Sequence, residues 1–194
     1  MSPNHADKGT AHPGRLAVPS PLTCDRHMNE HDMTKLELSV IAKSEFTDEH
    51  RVILAEMLRQ QGKVQGDLND KIDRCRLICI ASIDARAVSI GAIKEATKSD
   101  FNVANAGLPI LADEFQWELG YLFTRPENEG NGLASRVVIL LLAAYGDDPI
   151  MASTEVCMNP GMVRILERNG FRAFGKPWKS GIHGNMLGLF LRKR

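Results

Sequence analysis

The chain has no surplus of charge of either sign: its 24 Lys and Arg are matched by 24 Asp and Glu. A global positive field that would draw it to nucleic acid or an anionic membrane surface is therefore absent. It also lacks any apolar run approaching the roughly 18 residues of a transmembrane helix. Its first residues carry no apolar segment of the secretory-signal kind. Its four cysteines, Cys24, Cys75, Cys79 and Cys157, are scattered along 194 residues and make no dense disulfide framework. These absences lead us to expect a protein of the reducing cytoplasm with neither a nucleic acid nor a membrane as partner.

What remains is an ordinary globular composition, 43% hydrophobic and 25% charged, of a length that sustains one core. Residues 1–32 stand apart, with four prolines, two glycines, four histidines and little periodicity. They read as a disordered tail with Met33 as a candidate start, and residues 33–194 as a single domain. From Lys35 the pattern turns regular. Leu36, Leu38 and Val40 alternate as in a half-buried strand. Thr47 is placed to cap a helix whose apolar face is Val52, Ile53, Leu54, Met57 and Leu58, and a short second helix spans 68–74. Residues 77–83 and 87–93 read as a hairpin turning at 84–86. Residues 97–116 form a long loop, a length that is often functional. After a strand at 117–124 come a glycine turn, a helix at 133–145 with apolar positions 133, 137, 138, 141 and 144, a strand at 150–157, a helix at 160–169 closed by Gly170, and two final strands. This order predicts an α/β fold with a mixed central sheet flanked by helices.

The most informative stretch is residues 117–146, where a strand leads through Glu127-Asn128-Glu129-Gly130-Asn131-Gly132 into a helix. Glycines admit a phosphate close to the backbone, and the first N–H groups of a helix form an anion site. With Asn159-Pro-Gly-Met-Val-Arg-Ile-Leu166-Glu-Arg-Asn-Gly-Phe171 following, the chain resembles the GNAT superfamily of acyl-CoA N-acyltransferases. In that family Gln/Arg-x-x-Gly-x-Gly/Ala binds pyrophosphate, and a related asparagine-led helix follows. The resemblance is clear over 117–174 and extends in element order to about 35–194. It implies two parallel strands that part into a V. Backbone groups of Leu122, Phe123 and Thr124 would pair with pantetheine, Glu129, Gly130, Asn131, Gly132, Leu133 and Ala134 would cradle the pyrophosphate of acetyl-CoA, the acyl donor, and Asn159 would bind the pantetheine arm.

Two residues depart from the family pattern. Glu127 stands where the motif has Gln or Arg, with Glu129 beside it. A like charge about 8 Å from a phosphate at an effective dielectric of 20 costs roughly 2 kcal/mol, and Arg125 or Arg136 is a candidate to offset it. Leu166 stands where many relatives have a tyrosine that protonates the leaving thiolate. The chemistry also needs a base, because at pH 7 only about one alkyl amine in 2,500 is neutral. Glu118, on the strand of the acyl site between Trp117 and Leu119, is the candidate base, with a structural carboxylate as the alternative.

Lesser candidates are Cys157 as a nucleophile or a buried core cysteine, Tyr121 as a replacement acid, and His183 on the loop between the last strands. Cys24, His27 and His31 have the spacing of a possible zinc set without an evident fourth ligand, so no metal is expected. The acceptor pocket is expected to draw on residues 97–116, the first helices and the 176–185 loop, with Asp100, Asp113 and Glu114 suited to a cationic amine. The expected activity is acyl transfer from acyl-CoA to a primary amine in a ternary complex, in a possible homodimer. The competing reading is a GNAT-fold CoA-binding or regulatory module without catalysis.

Overall fold

The computed structural model describes residues 35–193. The reading of residues 1–32 as a tail, Met33 as a start, and the Cys24, His27 and His31 set lie outside the described residues. The elements are β1 (Leu36–Ala42), α1 (Asp48–Gln61), α2 (Leu68–Asp73), β2 (Cys75–Ile83), β3 (Arg86–Glu95), β4 (Trp117–Thr124), α3 (Leu133–Tyr145), β5 (Ile150–Glu155), α4 (Pro160–Arg168), β6 (Arg172–Lys179) and β7 (Met186–Arg192). Seven strands form one sheet in the order β1-β2-β3-β4-β5-β7-β6. Neighbours are antiparallel except β4 and β5, which run parallel. This is the mixed α/β sheet that the sequence predicts. Among the described residues no helix is long and apolar enough to cross a membrane.

Local chemistry sets the element ends. Thr47 Oγ1 accepts from the His50 N–H, and His50 Nδ1 accepts from the Thr47 N–H, so α1 starts on a reciprocal pair of bonds. Asp84 and Ala85 both take positive φ, 49° and 63°, the turn that lets two twisted strands meet in a tight hairpin. Asn159 Oδ1 accepts from the Met162 N–H and caps α4.

The helices cover the sheet on both faces. One core joins α3 and Leu166 of α4 to Leu77, Cys79, Ile93, Leu119 and Ile150. The other joins α1 and α2 to Ile78, Ile80, Ile90 and Ala92. Burial of each such aliphatic side chain contributes about 1.5–3 kcal/mol before entropy. Gly91 lets α3 close on the sheet, since a Cβ there would stand 2.7 Å from both Leu122 Cδ2 and Val137 Cγ1.

Two helix faces differ from expectation. Val52 is 65% exposed, and α1 buries Leu54, Ala55, Met57 and Leu58. In α3, Ala144 is exposed while Leu142 and Tyr145 are buried, because the stripe continues from Val138 and Leu141 by steps of four. The 97–116 segment is not structureless. It contains short 3₁₀ helices at Lys98–Phe101 and Pro109–Glu114 and builds a third core, Phe101 and Phe115 packing with Met151, Trp178, Leu189 and Leu191.

Candidate functional site

β4 and β5 pair only at Trp117↔Ile150 and Glu118↔Met151, then part. Just beyond the last pair, the register of β4 against β3 shifts, and Tyr121 takes φ +55°. A bulge of this kind bends its strand away from the neighbour, and the left-handed conformation of a bulky residue costs of order 1–3 kcal/mol. The result is a cleft of about 860 Å³ between the parted strands. Leu119 to Thr124 form one wall, Ala152 to Glu155 the other, and the start of α3 and the inner face of α4 close one end.

The α3 end has open backbone at an uncapped helix start. Gly130 and Gly132 take φ +79° and +73°, and a Cβ at either would have nothing within 4 Å, so the backbone there is open. Gly132 caps α3 without any side chain bonding to the first turn. The first intrahelical bond from this end is Arg136 N–H to Gly132 O, so the preceding N–H groups point out of the helix N-terminus. Glu129, Gly130, Gly132, Leu133 and Ala134 line the cleft; Glu127 does not. Glu127 pairs instead with Arg86 at 3.2 Å. The expected offset by Arg125 is therefore corrected: Arg125 is 9% exposed and is spent on Glu56 (2.9 Å), Gln60 (2.7 Å) and Ala87 O (2.8 Å), tying α1 to the sheet.

Along the β4 wall, Leu122 O accepts from Gln61 Nε2 at 2.9 Å, and Phe123 O accepts from Ser89 Oγ at 3.1 Å on the β3 side. Across the cleft, Asn159 contributes Oδ1 to the α4 cap, which leaves its amide N–H groups as the donors it can present. Leu166 is 1% exposed in the core and also borders the cleft.

At the apex lies a buried charge cluster. Lys94 and Glu118 are direct cross-strand partners. Lys94 Nζ lies 2.5 Å from Glu118 Oε2, which also accepts from the Thr97 N–H at 2.9 Å. Lys94 further donates to Thr97 Oγ1 at 3.1 Å and covers the Tyr121 ring at 5.3 Å. Glu118 Oε1 lies against Gly120, where a Cβ would meet it at 3.3 Å. Glu118 thus sits behind the cleft wall with one oxygen committed. Asp100 is buried in the same cluster. Desolvation pushes its carboxyl up to about 6, the Glu118 charge adds to the rise, and a hydrogen bond with Ser153 and the charge of Lys94 oppose it. Burial likewise raises the Tyr121 hydroxyl and pushes the Cys75 thiol up to about 12.

The cleft lining also carries Lys63, Glu155 and His183. Glu155 Oε1 lies 2.8 Å from Lys63 Nζ and 3.3 Å from His183 Nε2. Burial pushes the Glu155 carboxyl up, but hydrogen bonds from Lys63 and Asn185 and the charge of Lys63 outweigh it and hold the carboxyl below its ordinary value. His183 Nδ1 accepts from the Asn185 N–H at 3.3 Å, which puts the ring proton on Nε2, facing Glu155.

Other sequence candidates fall elsewhere. None of residues 97–116 lines the cleft; Glu114 pairs with Lys193 on another face. Cys157 is exposed rather than a core residue, and it does not border the cleft. Sequence reasoning missed Lys94, Ser153, Lys63 and Glu155. The signal for the first was a lysine closing the apolar run Val88 to Ile93, a position that asks for a buried carboxylate opposite.

No protein-family model and no curated protein sequence matches this chain. Solved structures do match its fold. An acyl-CoA N-acyltransferase from Pseudomonas aeruginosa superposes with a TM-score of 0.60 at 14% identity, over 81% of this chain and 99% of that one. Escherichia coli ElaA gives 0.60 at 11% identity, over 82% and 100%. Arabidopsis thaliana NAA60, in complex with a bisubstrate analogue, gives 0.55 at 10% identity, over 80% and 97%. The fold is that of the GNAT superfamily.

Proposed function

We propose that this protein is an N-acyltransferase that moves an acetyl or other acyl group from acyl-CoA to a primary amine, with both substrates bound at once. The observation that carries the reading is the continuity of the cleft. The strands that part after Glu118↔Met151 lead directly to the uncapped N-terminus of α3 behind two positive-φ glycines. An extended thiol arm that ends in a pyrophosphate matches this sequence of surfaces: a strand edge, then an anion site.

The N–H groups of Glu129 to Ala134 would hold the pyrophosphate. Leu122, Phe123 and Thr124 would bind the pantetheine arm through backbone groups, with Leu122 O shared with or released by Gln61, and Asn159 would donate its amide from the facing side. The Lys63, Glu155 and His183 group would receive the amine. A bisubstrate analogue bound to a protein of this fold supports direct transfer, since it joins both substrates in one cleft. Proton removal would fall to the apex carboxylates, Glu118 and Asp100. The second reading, CoA binding without turnover, is favoured by one observation: the buried Leu166 supplies no acid for the thiolate. A thiol of pKa near 8.5 leaves tolerably without one, so we hold to catalysis.

Thermal melts with and without millimolar coenzyme A test the site. A ligand at 100 times its dissociation constant adds about 2.7 kcal/mol. Unchanged midpoints, with no heat on titration, would remove the assignment.

A further inference from the structure

Resting on the acyl-transfer reading, we infer that the acceptor carries two amino groups on one flexible chain, as a diamine or polyamine does, and that Glu155 binds the ammonium that does not react, in the place that Lys63 holds here. Three placements carry the inference. Leu122 and Glu155 both line the cleft, each four residues beyond the last paired residue of its strand, Glu118 and Met151. They therefore stand on opposite walls at one level, about 13 Å along β5 from the parting. The end of α1 reaches both walls at that level. Gln61 Nε2 donates to Leu122 O at 2.9 Å, and Lys63 Nζ lies 2.8 Å from Glu155 Oε1, with Gly62 closing the helix between them at φ 71°. From the turn between β6 and β7, His183 Nε2 lies 3.3 Å from the same Glu155 oxygen.

The Glu155 side chain is 8% exposed and that of Lys63 is 50% exposed. A carboxylate so buried needs a cation beside it, because an unpaired buried charge is costly. The half-exposed ammonium that supplies it returns to water at little cost. A second alkyl ammonium entering the cleft takes the place of Lys63 and leaves the charge of the site unchanged. Lys63 itself displays the chemistry that fits, a primary ammonium at the end of an unbranched, flexible alkyl stem.

The same carboxylate does not serve the attacking nitrogen. A negative charge at hydrogen-bond distance favours the protonated amine, whereas attack on the thioester needs the neutral one. Burial pushes the Glu155 carboxyl up, but the hydrogen bond from Lys63 helps to hold it below its ordinary value. Paired with an ammonium, it stays ionised at neutral pH and takes no proton. An amine held at Glu155 is thus an anchor, and the nitrogen that attacks is a second one, carried by the same chain to the thioester. Glu155 is a specificity-determining residue in this scheme, and Lys63 is the resident competitor for its carboxylate.

The test is steady-state thiol release from acetyl-CoA with the α,ω-diamines from 1,3-diaminopropane to 1,8-diaminooctane and with n-alkylamines of matched length. Wild type, Glu155→Gln and Lys63→Met are compared, with the melting point and coenzyme A affinity of each. In wild type at least one diamine should show a KM about 10- to 100-fold below that of its matched monoamine, the span of one hydrogen bond to a charged group. Glu155→Gln should erase that difference. Lys63→Met should lower the diamine KM further, because the resident ammonium no longer competes; a merely structural ion pair predicts the reverse. Monoamines that match diamines at every length overturn the inference, as does a Glu155→Gln protein that keeps the preference or a Lys63→Met protein whose diamine KM rises. If Glu155→Gln does not fold, Lys63→Met decides alone. Wild type that binds coenzyme A yet releases no thiol with any amine overturns the acyl-transfer reading itself, and is told apart because no variant is then involved.

Discussion

Replacing Asp100 with Asn should stabilise the fold at neutral pH, and the gain should shrink as the solution is acidified. The carboxyl is 8% exposed, and burial raises it from 3.8 to about 6. A raised carboxyl binds its proton more tightly in the folded state than in the unfolded one. Its contribution to stability is therefore full below pH 3.8 and is lost as pH rises through about 6. The span is about two pH units, at about 1.4 kcal/mol each, so ionised Asp100 costs the folded protein about 3 kcal/mol above pH 6. Asparagine keeps the shape but has no charge to desolvate. In a chain of this size, 1 kcal/mol moves Tm by about 2–4 °C, so the variant should melt about 6–12 °C higher at pH 7.5 and close to wild type at pH 4. The assay is calorimetric melting of both proteins across that range. Other carboxylates, Glu155 among them with its lowered value, pull the pH dependence the opposite way, but they are common to both proteins and cancel in the difference. A variant less stable at pH 7.5, or a difference independent of pH, would refute the reasoning. A destabilising acid kept in the fold is the pattern expected where activity is favoured over stability.

Lys94→Met should cost about 3–5 kcal/mol in urea denaturation, because it leaves Glu118 and Asp100 buried without a cation. Adding Glu118→Gln should recover part of that loss, and a single variant within 1 kcal/mol of wild type would contradict the cluster. Gly132→Ala should lower stability by about 1–2 kcal/mol, since only backbone strain at φ +73° opposes the methyl. It should weaken coenzyme A binding in calorimetry by a larger factor, because the methyl enters the anion site; unchanged affinity would move the pyrophosphate elsewhere. A chain beginning at Met33 should keep both its melting point and its coenzyme A affinity, and a loss of several degrees would give residues 1–32 a structural role.

Much of this architecture was readable from periodicity and caps. Thr47 and the 84–86 turn both end elements where expected, since each depends on chemistry within a few residues. The glycine turn before α3 was legible for the same reason. The apex was not. Lys94 meets Glu118 only because β3 and β4 pair across the 21 residues from 96 to 116, and that register is fixed by the pairing of the strands. Asp100 read as a loop acid suited to a cationic amine, because nothing local shows that the segment folds back over Met151 and Leu189 to make a core. The positive φ of Tyr121 breaks the alternation of β4 without a glycine to mark it. Glu118 was found by position along its strand; its partners come from β3 and from the segment after it, so its commitment to Lys94 was invisible.

The central claim is acyl transfer within the β4–β5 cleft, and amine-dependent thiol release tests it most directly. The protein is incubated with acetyl-CoA and each member of a panel of primary amines, and free coenzyme A thiol is followed with the acetylated amine. The account predicts that at least one amine gives thiol and amide in equal amounts, at a rate proportional to protein. Coenzyme A that binds and stabilises the protein while every amine leaves the thioester intact would contradict it and identify a binding module instead.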